Sequence, residues 1–556
     1  MNKQVVYLTI SFMFGNIVGY LCFNNFNIAI AFSMIIILIM FFTLDIKNFM
    51  LWVGFFLVGI ASFYMFFNIK FNNESIELRV KDVNGFYVKA SYKGRNFIMK
   101  DYTKKIVHGD RITIKGTLKR DTNYSTGVIG SFENYKILSS RRDFISQIYD
   151  LRIKIKDKFQ NELGESRGAI VTGVCFGDLR GATEEQKEEF KQLGIIHSVS
   201  VSGFHLNLIY SFLEGILGTS FGILITGIYV VFTGAKASSL RAFIMIIFLR
   251  LSTKVYKTYR PLPILTFTAL VLGFYRPYYI FNAGFHLSFL STLGIILYNK
   301  KLDKILYKIP NCIRSTVALT FSSQIFTFPY IIIAFNYFSF GFLLGNLLIM
   351  PFISILVILG NVGLIFSNFD FIFNIIVKII YFILVTMESI SDVLKIISPN
   401  IRFMDYKYSV IYCLIIMSFY LYSKGYKSLK FFPVAVILSG SLWIYNAFPT
   451  INFYKVDNCY IYDIGYKWER VVLTKGDIKD FYTKEKLKYC NIIEEDDNKY
   501  KVNLNKKYDI ILNNENLYLY SKGCFENKIS LKDGVTVKIL PNRILSIGEE
   551  ERNEFR

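Results

Sequence analysis

Long apolar runs separated by short polar turns dominate this chain, interrupted by one stretch in which apolar and polar residues alternate. Three runs come first, at about 5–23, 27–44 and 49–67, each long enough to cross a bilayer. From 72 to 140 the pattern becomes strand-like (FYVKASYK, NFIMKDY, RITIKGTLKR, GVIGSFENYKIL), with turns at Asn84-Gly85, Lys93-Gly94 and His108-Gly109-Asp110. About five short strands there predict a small β-barrel, with the OB-fold as the natural candidate. Helical periodicity returns over 141–165, where Ile145, Ile148, Leu151, Ile155 and Phe159 mark the apolar face of an amphipathic helix. Ala169–Phe176 is apolar but too short to span. Thr183 caps a surface helix that reaches Gln192 and carries glutamate in its first turn. Apolar runs then follow closely, at about 196–217, 219–234, 237–252, 261–276, 280–298, 313–335, 339–366, 370–389, 408–423 and 431–448. Beyond Pro449 strand-like runs return (CYIYDIG, RVVLTKG, YDIILNN, VTVKILP).

The pattern predicts a polytopic α-helical membrane protein with an N-terminal extracytoplasmic OB-like β-barrel insertion and a small strand-rich C-terminal soluble domain. Its domains are N-terminal spans 1–67, barrel 72–140, helices returning to the membrane 141–195, a transmembrane domain 196–448 and the tail 449–556. The first run lacks a small-x-small cleavage site and two more runs follow at once, so it reads as a retained span.

Composition supports the membrane class: 53% of residues are hydrophobic and mean hydropathy is +0.37. A net charge of +22 is unusual in so apolar a chain. Positive-inside loops explain part of it, and a polyanionic partner would explain more. Short basic loops occur at Arg250/Lys254/Lys257/Arg260, at Lys300/Lys301/Lys304/Lys308 and at Lys424/Lys427/Lys430. Even numbers of spans separate them, so all three share one side, which should be cytoplasmic. That places the N-terminus in the cytoplasm and both barrel and tail outside. The seven cysteines are scattered, with neither a CxxC pair nor zinc-ligand spacing.

The candidate chemistry concentrates in Gly194–Tyr210 (GIIHSVSVSGFHLNLIY), which holds two of the four histidines. In a continuous helix Ser198, Ser202 and His205 fall at i, i+4 and i+7, on one face. With His197 and Gly203 they form either polar glue between helices or the lining of a path for something polar. A metal site has little to recommend it, because no carboxylate stands at helical spacing.

Four ordered blocks give residues 168–360 a resemblance to the ComEC family of competence membrane channels. They are VCFGDLRGATEEQKEEFKQLGIIHSVSVSGFHLNLI, GAKASSLRAFIM, FNAGFHLSFLSTLGI and FPYIIIAFNYFSFGFLLGNLLIMPFI. The resemblance implies a cytoplasmic-membrane channel that imports single-stranded transforming DNA. It implies a DNA path through His197, Ser198, Ser202, Gly203, His205, Arg241, His286, Ser288 and Asn346.

Each of these positions also has a plainer reading. Arg241 lies early in its run, where a snorkelling arginine is as natural as a phosphate contact. His286, where the family more often has Gln, pairs at four-residue spacing with Asn282 or Leu290, and either it or Ser288 serves equally as packing glue. Asn346 with Pro351 suggests a broken helix beside a cavity. In the barrel, Lys93, Arg95, Lys104, Lys105 and Arg111 are interleaved with Tyr87, Tyr92, Phe97 and Tyr102. Single-stranded nucleic acid binding uses that combination, and an ordinary solvated face also shows it.

Family members often carry a C-terminal metallo-β-lactamase-like domain, but no histidine follows His286 here, so that metal site is not expected. No GxxxxGK[ST] loop is present either, so transport in this chain should be passive, with no cofactor, no metal and no catalytic residue. A separate ATP-driven cytoplasmic motor, an external DNA receptor and a nuclease are the expected partners, beside membrane lipids. An oligomer is compatible with the sequence. The alternative is a transporter or flippase for another polyanion or envelope polymer. A Ser/His hydrolase is disfavoured, because no carboxylate orients a histidine and no GxSxG elbow occurs.

Overall fold

The computed structural model describes residues 2–69, 75–101, 106–199 and 201–456. In the tail it describes 459–467, 469–475, 491–494, 500–504, 508–513, 516–521, 524–530, 536–539 and 544–547. The chain divides into two units: residues 1–327 with 340–399, and residues 328–339 with 400–556.

The first unit opens with α1 (Asn2–Asn24), α2 (Phe26–Thr43) and α3 (Ile46–Phe67). α1 and α3 touch backbone to backbone: a Cβ at Gly15 would lie 2.1 Å from the Phe56 carbonyl oxygen, and one at Gly59 2.4 Å from that of Phe12. Small residues of this kind let membrane helices approach closely.

The barrel follows as β1 (Ile76–Asn84), β2 (Tyr87–Tyr92), β3 (Arg95–Lys100), β4 (Arg111–Lys119) and β5 (Val128–Arg141). It closes in the order β1-β2-β3-β5-β4, with β3 and β5 parallel. Alternation decides what points inward: Leu78, Val80, Val88, Ala90, Phe97, Met99, Ile112 and Ile114 fill the core. Phe97 is therefore no stacking platform, because its ring is wholly buried against Phe132.

Asp143 welds the barrel to α4 (Phe144–Leu163). It caps that helix reciprocally with Ser146, accepts 2.8 Å and 3.0 Å hydrogen bonds from Arg79 and Arg111, and so ties β1 and β4 to the helix N-terminus. The hydrogen bonds from Arg79, reinforced by the Ser146 backbone N–H and Arg111, hold the Asp143 carboxyl well below the usual carboxylate range. A pKa depressed on folding contributes stability above the unfolded value and loses it as pH falls below about 4. The thermal midpoint in detergent should therefore drop between pH 5 and pH 3, as checked by differential scanning fluorimetry, and Asp143→Asn should flatten that slope.

After α4 come α5 (Glu165–Phe176) and α6 (Glu184–Gln192), the latter capped by Thr183. α5 is buried from Gly168 to Phe176. It packs against α7 (Gly203–Phe232) and α13 (Met350–Ile365) in a core that includes Phe159, Cys175, Leu206, Ile353, Leu356 and Val357. α7 is two helices: Gly218 (φ 78, ψ 170) breaks it. A Cβ at Gly222 would lie 3.3 Å from Glu214 Cα, whereas residues eight apart in a straight helix are about 12 Å apart. The segment thus folds back as a hairpin whose arms are each about 22 Å long, shorter than the ~30 Å hydrocarbon core.

α8 (Ala237–Lys254), α9 (Pro261–Tyr275), α10 (Ala283–Ile305) and α11 (Asn311–Phe335) follow. α12 (Phe342–Leu344) continues through a π-helical turn, Gly345–Ile349, into α13, which carries Pro351 in its first turn, and α14 (Asp370–Ile397) ends the unit. Among the described residues, eight helices of the chain are long and apolar enough to cross a membrane when α7 is counted as one.

The second unit pairs β6 (Tyr337–Phe338) with β7 (Arg402–Phe403) and adds α15 (Tyr406–Ser423) and α16 (Phe432–Ile444). Phe328 packs on both Phe338 and Tyr412, at 4.6 Å between ring centroids. Strands begin at Asn446, three residues before the expected tail, and form a six-stranded and a four-stranded sheet. Ile451, Phe453, Ile461 and Tyr462 are buried in the first of these.

Candidate functional site

The His/Ser run is not one helix. Gly194 (φ 65) ends α6, residues Ile196–Ser198 form a single 3-10 turn, and α7 starts only at Gly203. Ser198, Ser202 and His205 therefore do not share a helix face, contrary to the expectation from their spacing. The cause is local: Ser202 has an extended backbone and acts as the N-cap. Its N–H donates to His205 Nδ1 at 2.9 Å, and its Oγ lies 3.3 Å from the same nitrogen. A neutral imidazole accepting through Nδ1 carries its proton on Nε2. His205 is fully buried, Ser198 is buried, and His197 is exposed on the 3-10 turn.

Arg241 is the centre of the polar cluster. It is buried in the first turns of α8, one turn below Ala237 and Ser238. Its Nε donates to Ser288 Oγ at 2.8 Å and its Nη1 to Thr292 Oγ1, both on α10. Gly203 makes room for the guanidinium: a Cβ there would lie 2.3 Å from Arg241 Nη2. Three chain segments thus meet at one cation. Sequence reasoning named Gly203, Arg241 and Ser288 but missed Thr292, which stands four residues after Ser288 on the same face.

His286 turns away from this cluster, its Nε2 meeting the Ile280 carbonyl. The Asn282 side chain, one of the two neighbours expected to pair with it, instead accepts from Phe285 N at 3.1 Å and donates to Ser125 O of the barrel at 3.2 Å. Asn346 sits half-buried in the π-helical turn, next to Gly345, which presses on the Leu193 carbonyl.

In the barrel, Arg95 donates to the Phe66 and Met65 carbonyls at the end of α3, both at 2.8 Å. Arg111 is committed to Asp143 and to Glu77. Lys93 stays exposed on its turn, over the Tyr92 ring. Lys104 and Lys105 lie outside the described residues, as does Tyr102.

The structure adds a feature that the sequence did not reveal. A cavity of about 850 Å³ separates the barrel from the membrane helices, lined by eight Lys or Arg side chains against two Asp. Its cations come from β1, β2, α4, the 180–187 segment, the α7–α8 turn and the α9–α10 turn. No periodicity could have signalled residues so distant along the chain. Among the described residues no three His, Cys, Asp or Glu side chains come together as a metal site.

Comparison with known proteins places this constellation. A family model described as competence protein matches residues 174–428, the segment that carries Ser202, Gly203, His205, Arg241 and Ser288. ComE operon protein 3 of Bacillus subtilis is 26% identical over 240 residues, covering 41% of this chain and 29% of that protein. An uncharacterised protein of Aquifex aeolicus is 27% identical over 220 residues, covering 38% of this chain and 51% of its own. The chain thus spans about a third to a half of the length of these relatives. No solved structure matches. The match over 174–428 and the similarity to ComE operon protein 3 identify residues 174–428 as a competence-protein domain of the ComEC type.

Proposed function

We propose that this chain is a cytoplasmic-membrane channel for single-stranded DNA taken up during natural competence. The observation that carries the reading is Arg241, a buried cation held by Ser288 and Thr292 and borne on the helix whose first residues, Ala237 and Ser238, line the cationic cavity. A planar guanidinium suits phosphate oxygens, and its charge is not titrated away. On α10, Gly284 lines the cavity and Ser288 and Thr292 follow at four-residue steps on one face, so a polar line leads from the cavity to the arginine. His205 and Ser202 border that line through Gly203.

Transport in this reading is passive, and the driving force comes from a separate ATP-driven motor in the cytoplasm. An external receptor and a nuclease supply the strand. The test is import of labelled DNA into the cytosol of cells with and without the protein. Loss of import on deletion supports the reading. Unchanged import together with an envelope defect would favour the alternative, a transporter of another polyanion or envelope polymer.

The orientation follows from the three basic loops. With the seven native cysteines replaced by serine, single cysteines at Lys93 and Lys501 should react with an impermeant maleimide on whole cells. One at Lys304 should react only after lysis. Labelling at Lys304 on intact cells would reverse the orientation.

A further inference from the structure

We propose that the cavity between the barrel and the membrane helices is a binding chamber for the phosphodiester backbone of an extended single strand, with Lys81, Lys89, Lys236 and Arg276 as its contacts. The inference rests on the DNA-channel reading and assigns the strand a place to be captured before it reaches Arg241.

The charge balance inside the cavity is the first argument. Its two carboxylates are already engaged: Asp178 pairs with Arg180 at 2.8 Å and Lys156 at 3.6 Å, and Asp82 pairs with Arg180 at 3.0 Å. Burial opposes ionisation of Asp178, yet hydrogen bonds from Arg180 hold its carboxyl well below the usual range. Lys81, Lys89, Arg152 and Arg276 make no ion pair among the described residues. Like charges gathered in a partly desolvated space repel one another, and an anion between them removes that cost.

Lys81 carries the second argument. It sits at a bulge in β1, where the pairing with β2 shifts between Val80 and Asp82, and it is directed into the cavity with Asn96 Oδ1 3.0 Å from its Nζ. Burial, helped by the positive charges of Arg276 and Lys89, pushes its ammonium down to about 7. Bulges re-aim side chains beside functional sites, and this one directs a cation to a place that penalises its charge when empty.

The third argument is size. The space, about 850 Å³ and lined by eight cations, is large enough for several phosphates in series rather than one compact anion. The N-termini of α8 and α10 open onto it at Ala237 and Gly284, adding the positive ends of two helices.

The test uses the full chain in nanodiscs and a fluorescein-labelled 12-nucleotide oligothymidylate, read by anisotropy across a salt series. Wild type should bind with an affinity that falls by about 0.7 log units per neutralised phosphate for each log unit of salt. The Lys81→Gln, Lys89→Gln, Arg276→Gln triple variant should weaken binding about tenfold or more at about 100 mM salt and reduce the slope by about 2. Lys81→Gln with Lys89→Gln alone, which spares the Arg276–Tyr279 contact, should do so in part. A triple variant of equal charge change on exposed residues outside the chamber, Lys254→Gln, Lys257→Gln and Lys300→Gln, should bind as wild type does. Binding and slope unchanged in the chamber variants would overturn the chamber while leaving DNA import, and so the channel reading, intact. Chamber-dependent binding of linear polyphosphate with none of the oligonucleotide would instead overturn the DNA reading.

Discussion

Replacing Arg241 by Gln should lower DNA import about a hundredfold while the protein still accumulates in the membrane. Gln can keep one hydrogen bond to α10 but loses the charge and the fork that spans Ser288 and Thr292. Hydrogen bonds to a charged group contribute about 1.5–3 kcal/mol each, and a loss of about 3 kcal/mol corresponds to about two decades. Arg241→Lys restores charge without the fork and should fall between. Gly203→Ala should reproduce the defect from the other side, because the new methyl lies 2.3 Å from Nη2 and must displace a guanidinium that is pinned at two points. Ser202→Ala and His205→Ala remove the cap pair bordering the same line and should reduce import less. Import of fluorescent DNA and immunoblots of membrane fractions separate the outcomes. If the cluster only glues helices, these variants will be scarce in the membrane. Normal abundance with normal import in all of them would show that this cluster is not on the path.

Gly345→Ala should cost the protein its fold, with little intact material surviving in the membrane. A Cβ there would lie 2.1 Å from the Leu193 carbonyl oxygen and 2.9 Å from Ile195 Cγ2. The nearer contact is backbone, so no side chain can rotate away to relieve it. Gly194 faces the same contact from the opposite side: its φ of 65 already favours glycine, and a Cβ would lie 2.6 Å from Phe342 Cβ. Overpacking a tight core contact costs about 1–3 kcal/mol, and a clash with backbone lies at the upper end or beyond. Fluorescence-detected size exclusion should show loss of the monodisperse peak. A normal peak with an unchanged thermal midpoint would mean that the 193–195 segment yields at this point.

The sequence and the tertiary structure determined different parts of this protein. The apolar runs predicted the helices α1 to α3 and α8 to α16 because period and length report burial directly. The break between 217 and 219 was readable for the same reason, since Gly218 interrupts an apolar run with a residue tolerant of positive φ. Alternation between 72 and 140 predicted the five strands of the closed barrel, with the turns at Gly85, Gly94 and Gly109 in left-handed conformations. The same logic failed at Ser202. Four-residue spacing assumes a helix already in progress, whereas a serine can begin one by capping it, as Ser202 does with His205. The barrel's Arg95 and Arg111 looked available for a ligand because composition does not reveal carbonyls and carboxylates brought near by folding. The chamber was invisible for the converse reason. Lys81, Lys89, Arg152, Lys236 and Arg276 are separated by up to nearly two hundred positions and obey no common period, so only the closure of the barrel over the helix N-termini places their charges around one space.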